Sequence, residues 1–164
     1  MSNAWNDLET GSGAGVFIKL AEGANKVRIV ANPVSYWKNM EHDPKLTYLT
    51  KEAAVKDKDA KPRFVCWAID RVDGAIKKLD FTGSIVGQIK TLRNDPEYAF
   101  DGAVFPYDIT INRTGSGMET RYTVTAARQN TPLNDVEQAA IAILQDMKLE
   151  MRDHAEDGDA VNPL

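Results

Sequence analysis

The chain has 164 residues, 43% of them hydrophobic, enough for one core and too few for two domains of usual size. No run approaches the roughly 20 apolar residues that cross a bilayer, and no apolar stretch follows a basic start, so the expectation is a cytoplasmic protein with no membrane partner. The formal net charge of −4 is uneven: eight acidic residues stand against Lys148 and Arg152 from Asn134 onward, which leaves residues 1–133 at +2.

Residues 1–14 are polar and glycine-rich, without periodicity, and read as a flexible arm ahead of a single domain over 15–133. Val16–Leu20 and Lys26–Ala31 alternate about the turn Glu22-Gly23-Ala24-Asn25 and read as a strand pair. Pro33 breaks the pattern, and Val34–Lys38 resumes it with Tyr36 and Trp37. Residues 50–61 mix charges with few large apolar groups and read as a mobile excursion or a frayed helix. Arg63–Arg71 and Ala75–Phe81, joined by Val72-Asp73-Gly74, form the clearest hairpin. A short helix follows, with Ser84 as its expected cap, Ile85, Ile89 and Leu92 at helical spacing, and Asn94-Asp95-Pro96 as its end. Val104–Arg113 and Glu119–Arg128 make a second hairpin. Asn134 and Glu137 then stand in capping-box spacing before a helix over 134–152, striped by Val136, Ala140, Ile143, Leu144, Met147 and Met151. Residues 153–164 form an acidic tail. This order predicts a mainly β fold: a five-stranded barrel like the oligonucleotide-binding fold, a short helix between its hairpins and a C-terminal amphipathic helix.

Enzymatic constellations are missing from the sequence. His42 and His154 lie in polar segments without a nucleophile motif, and no Gly-x-x-x-x-Gly-Lys phosphate loop occurs. Cys66, the single cysteine, cannot close an internal disulfide or build a thiolate zinc site with two histidines. Asp70, Asp73, Asp80 and Asp108 have a simpler reading as turn and surface acids beside lysines than as magnesium ligands. The expectation is a non-enzymatic protein with no metal and no cofactor.

The positive signal is the interleaving of aromatic and basic residues on the same strands. Tyr36-Trp37-Lys38, Arg63 with Trp67 and Arg71, Lys77, Tyr107 with Arg113, and Arg121-Tyr122 show it, with Lys19 and Arg28 on the first strand pair. Rings stack on any base and cations follow the phosphates, so the combination binds single strands without reading them. Some of these rings have a core reading as well: with period-two alternation, Trp67 shares a face with Val65 and Ile69, and Tyr107 with Ile109 and Ile111.

Three stretches, Phe17–Val30, Trp67–Leu79 and Tyr107–Val124, give the chain a pattern of strands and turns that resembles the single-stranded-DNA-binding, helix-destabilising proteins of tailed bacteriophages. The resemblance implies coating of single strands in replication, recombination and repair, in the cytoplasm of a bacterial host. It also implies an acidic tail that contacts replication or recombination proteins, here Asp153, Glu156, Asp157 and Asp159. Two departures stand out: no zinc ligand set exists, and the chain ends in Leu164 rather than an aromatic residue. The competing expectation is a β-barrel adaptor that binds protein partners, its basic hairpins being ordinary solvated faces.

Overall fold

The computed structural model describes residues 16–149, 151, 153 and 154. The expected arm and the tail residues Glu156, Asp157 and Asp159 lie outside the described residues.

Strand β4 (Ala60–Asp70) is the axis of the sheet. Strands β1 (Gly23–Ile29) and β2 (Val34–Asn39) lie end to end along one of its edges, opposite Ala68–Asp70 and Ala60–Val65, while β5 (Ile76–Thr82) takes the other edge. Between β1 and β2, residues 30–33 oppose only Cys66 and Trp67. The surplus is taken up by a bend at Ala31 ahead of Pro33, which has no N–H to offer a ladder, while the Val30 amide still bonds the Trp67 carbonyl at 3.1 Å. Strand β3 (Leu46–Tyr48) pairs with β2, β6 (Ile109–Thr114) with β1, and β7 (Arg121–Ala126) with β6. The result is one antiparallel sheet of seven strands, ordered β3-β2-β4-β1-β6-β7 with β5 beside β4. The mainly β class is as expected. Seven strands stand where five were expected, and their pairings do not close into a ring among the described residues.

Alternate residues of β1, β4, β5 and β6 face the core: Val27, Ile29, Cys66, Ala68, Leu79, Phe81, Ile109 and Ile111 are all buried. Burying each large apolar side chain contributes roughly 1.5–3 kcal/mol. Burial pushes the Cys66 thiol up to about 12, so it stays protonated. Helix α2 (as numbered here, Gly83–Arg93, after a one-turn α1 at Lys51–Ala54) covers this core with Ile85 and also seals the edge of β7. The Gln88 side chain donates to the Tyr122 carbonyl at 2.8 Å and accepts from the Val124 amide at 2.7 Å, standing in for a further strand. The β6–β7 connection depends on Gly115, where φ is +78° and a Cβ would lie 2.3 Å from the Glu119 carbonyl oxygen.

Three sequence expectations are corrected here, and a fourth is narrowed to one of its alternatives. Val16–Leu20 does not pair with β1: the Ile18 amide bonds the Lys78 carbonyl at 2.8 Å, and the Lys78 amide bonds the Val16 carbonyl at 3.0 Å, so the segment lies along β5. The helix cap falls on Thr82, with Ser84 inside α2. Of the two readings of residues 50–61, the helical one is found: they hold the one-turn α1, capped by Thr50, and the start of β4. Asp57 fastens this lobe by accepting from Asn39 Nδ2 (2.8 Å) and the Tyr48 hydroxyl (2.9 Å), and burial with this bond pushes Tyr48 up to about 12. The C-terminal helix, α3, spans only Asp135–Ala142, with the expected capping box of Asn134 and Glu137. Met147 and Met151 lie beyond it, in a segment whose backbone carbonyls at Gln145 and Lys148 accept from Trp67 and Lys78 of the sheet.

Candidate functional site

Residues directly opposite in an antiparallel ladder share a face. Lys38 stands opposite Lys61, Tyr36 opposite Arg63, Val65 opposite Asp80, Trp67 opposite Lys78, and Arg28 opposite Ile69. The alternate positions hold core residues, so these side chains form the outer face of β1, β2, β4 and β5. Arg71 extends it past the end of β4. Six of the expected contacts, Arg28, Tyr36, Lys38, Arg63, Trp67 and Arg71, therefore come together on one surface.

Their exposure differs. Tyr36, expected to be accessible, is 2% exposed; its hydroxyl donates to Asp80 Oδ2 at 2.5 Å, while Arg63 reaches Asp80 Oδ1 at 3.0 Å. Burial and the Asp80 bond hold the Tyr36 hydroxyl un-ionised well above its usual range. Lys38 is shifted down, first by burial and then by the neighbouring Arg63. Trp67 is half-buried, and the ammonium of Lys78 lies 6.0 Å from its ring and 5.7 Å from that of Phe17, a cation held between two aromatic groups.

At the other end of the face, two guanidinium groups meet one carboxylate. Arg28 Nε lies 2.7 Å from Asp108 Oδ1, and Arg71 Nε lies 3.2 Å from each Asp108 oxygen. Arg71 Nη1 also reaches Glu137 Oε2 of α3 at 2.6 Å, which holds the Glu137 carboxyl below its usual range. Asp70 and Asp73 pair with Lys77. The four aspartates considered as metal ligands are thus each engaged with a cation.

The C-terminal segment crosses this surface. After the Arg71–Glu137 pair, the Trp67 indole N–H donates to the Gln145 carbonyl at 3.0 Å. Further on, the Thr47 amide donates to His154 Nδ1 at 2.8 Å and the Leu49 amide to Asp153 at 3.4 Å. A cleft of about 600 Å³ remains beneath α3, between Trp67, Ile69 and Ile76 on one side and Val136, Ala140 and Leu144 on the other.

The remaining expected contacts lie elsewhere. Tyr107 is a core residue, 2% exposed, edge-on to Phe100 and Tyr98, and its hydroxyl donates to the Tyr98 carbonyl at 2.9 Å. Trp37 faces the opposite way and packs with Leu46, Tyr48 and Ala54. Arg113 and Tyr122 pair across β6 and β7; Arg113 donates to the Leu20 carbonyl at 3.0 Å, and Tyr122 packs on the core. Arg121 is exposed on β7, Lys77 sits at the hairpin end, and Lys19 is exposed two residues after Phe17 on the segment that runs along β5. Sequence reasoning missed Phe17, Lys61 and Lys78. Lys78 was legible in principle, since the Asp73-Gly74 turn sets a register opposing it to Trp67. No protein-family model, curated protein or solved structure matches the chain.

Proposed function

We propose that the chain binds single-stranded DNA without regard to sequence, as a coating and protecting protein of the tailed-phage type, and that the outer face of β2, β4 and β5 is its contact surface. The observation that carries this reading is the joining of Lys38, Lys61, Arg63, Trp67 and Lys78 on one sheet face, with Phe17 beside Lys78. Rings offer stacking to any base, and Lys38 and Lys61 can follow a phosphate chain, while Lys78 is buried and bonded to the Lys148 carbonyl at 3.4 Å. We also read the sheet as an oligonucleotide-binding barrel. If β1 and β2 count as one bulged strand, they make five with β4, β5, β6 and β7, and α2 occupies the connection between the third and fourth. Barrels of this kind use the face of their second and third strands, here β4 and β5, for oligonucleotides. No catalytic role or cofactor is part of this reading, and among the described residues no helix is long and apolar enough to cross a membrane.

The adaptor reading is favoured by one observation: Val136 and Ile143 on and beside α3 are 78% and 79% exposed, an apolar pair that a protein partner could cover. Fluorescence anisotropy of a labelled oligothymidine separates the two. Single-strand binding requires an affinity that falls with salt and varies little among homopolymers. No binding at low salt would reject it and leave the adaptor.

A further inference from the structure

We propose that Arg71 and Arg28 form a phosphate subsite that Glu137 of α3 closes from within the chain. The inference rests on the single-strand reading above and names the group that binding must displace.

Three observations carry it. First, Arg28 and Arg71 bring two positive charges to Asp108, so the sheet's own residues leave one charge unbalanced, and Glu137 supplies the balancing anion. Second, Arg28 is 1% exposed and its Nη2 has no hydrogen-bond partner among the described residues, although Nη1 reaches the Phe105 carbonyl at 3.3 Å. A buried charged donor left unmatched marks a place for one more acceptor. Arg28 also borders a cleft of about 310 Å³ beside Phe105, Asn130 and Thr131, which gives an approach to this end of the face. Third, Glu137 arrives on an element with little hold on the fold. Helix α3 has no buried residue, spans a cleft rather than a packed interface, and exposes Val136.

A phosphodiester carries the same single charge as a carboxylate and offers two terminal oxygens to a guanidinium fork. It can replace Glu137 on Arg71 without leaving that cation bare. Departure of Glu137 releases α3 and with it the segment bonded to Trp67, so occupation of the phosphate subsite uncovers the stacking surface.

The test uses the full chain, labelled oligothymidine and inorganic phosphate. Glu137→Gln removes the charge, and glutamine can still serve the capping box. It should tighten oligothymidine binding roughly 5-fold, the lower end of coupling between linked sites. In an Arg71→Gln background the same change should have no effect, because the cation it competes for is gone. Equal tightening in both backgrounds would reduce Glu137 to a general surface charge and overturn the proposal, as would no tightening at all. If wild-type protein binds oligothymidine while Glu137→Gln changes nothing, the subsite fails and the single-strand reading survives. Phosphate titration of Glu137→Gln, followed by the Arg71 Nε–H resonance against chloride at equal ionic strength, works even if Arg71→Gln does not fold. A shift confined to phosphate supports the subsite, including as a free-phosphate site should oligothymidine not bind. Equal shifts with both salts overturn it.

Discussion

Tyr36 separates a stacking residue from a structural one. Tyr36→Phe keeps the ring and removes only the hydroxyl that donates to Asp80 at 2.5 Å. A hydrogen bond to a charged acceptor contributes about 1.5–3 kcal/mol. Asp80 retains Arg63 at 3.0 Å and its side chain is 24% exposed, so water can enter, and the loss should fall near the lower end, about 1.5 kcal/mol. For a chain of this size that lowers Tm by about 3–6 °C. Tyr36→Ala also empties a buried ring site and should cost about 3–5 kcal/mol. Thermal and urea unfolding by circular dichroism measure both, and oligothymidine anisotropy at a temperature where each variant is folded measures binding. Tyr36→Phe should leave affinity within about twofold of wild type, a difference under 0.5 kcal/mol. The reasoning fails if Tyr36→Phe melts like wild type while Tyr36→Ala stays stable and loses binding, because the ring would then be a stacking platform.

Trp67→Ala should weaken oligothymidine binding by about 1–3 kcal/mol, the loss of one stacked base, and an unchanged anisotropy titration would remove Trp67 from the site. Lys38→Ala and Lys61→Ala should each lower the slope of log affinity against log salt by roughly 0.7, whereas Arg121→Ala, away from the face, should not. Glu137 titrates below its usual range because Arg71 holds its charged form; its contribution is therefore present above the ordinary glutamate value of about 4.3 and lost as pH falls through the folded value. Hydrogen exchange should show α3 losing protection in that acid window before β4 does, and Glu137→Gln should abolish the difference. Removing residues 153–164 takes away four acids, together with the contacts of His154 and Asp153 to Thr47 and Leu49, so binding should tighten most near 20 mM salt, where screening reaches roughly 20 Å; equal affinity with and without the tail there would exclude competition.

What the sequence disclosed follows the range of the interactions involved. The β4–β5 hairpin was legible because alternation and an Asp-Gly turn fix both face and register within some 20 residues, and the grouping of Arg63, Trp67 and Arg71 came directly from that period. The positions of Tyr36 and Tyr107 were not local properties. Polar Ser35 and Asn39 flank Tyr36 in sequence, yet its surroundings are Arg63 and Asp80, set by pairing with β4. Val16–Leu20 carries a strand pattern that fits β1 or β5 equally well, and its amides chose β5. The stripe on 134–152 is a sound helical pattern, but the helix ends at Ala142 and the chain beyond it bonds the sheet, through the Trp67 indole N–H to the Gln145 carbonyl and Lys78 Nζ to the Lys148 carbonyl. The cover over the site could not be read from sequence, since it depends on where a distant segment lands.

The cover also bears on how a chain of net charge −4 would present the DNA surface proposed above. Breaking a buried ion pair by removing one partner costs about 3–5 kcal/mol, because the remaining charge is left without compensation. Arg71 is 22% exposed and Glu137 15%, so lifting α3 into water with nothing in its place would incur part of that cost. A phosphate arriving on Arg71 avoids it: the guanidinium keeps one anion before and after, and the released Glu137 regains full hydration. The exchange is then nearly balanced in charge, and the net gain must come from elsewhere on the face, from stacking on Trp67 and Phe17 and from the cations Lys38 and Lys61. On this reading acidity and single-strand binding are compatible at this end of the face, because Glu137, one of the acids that lower the net charge, is the group that phosphate replaces.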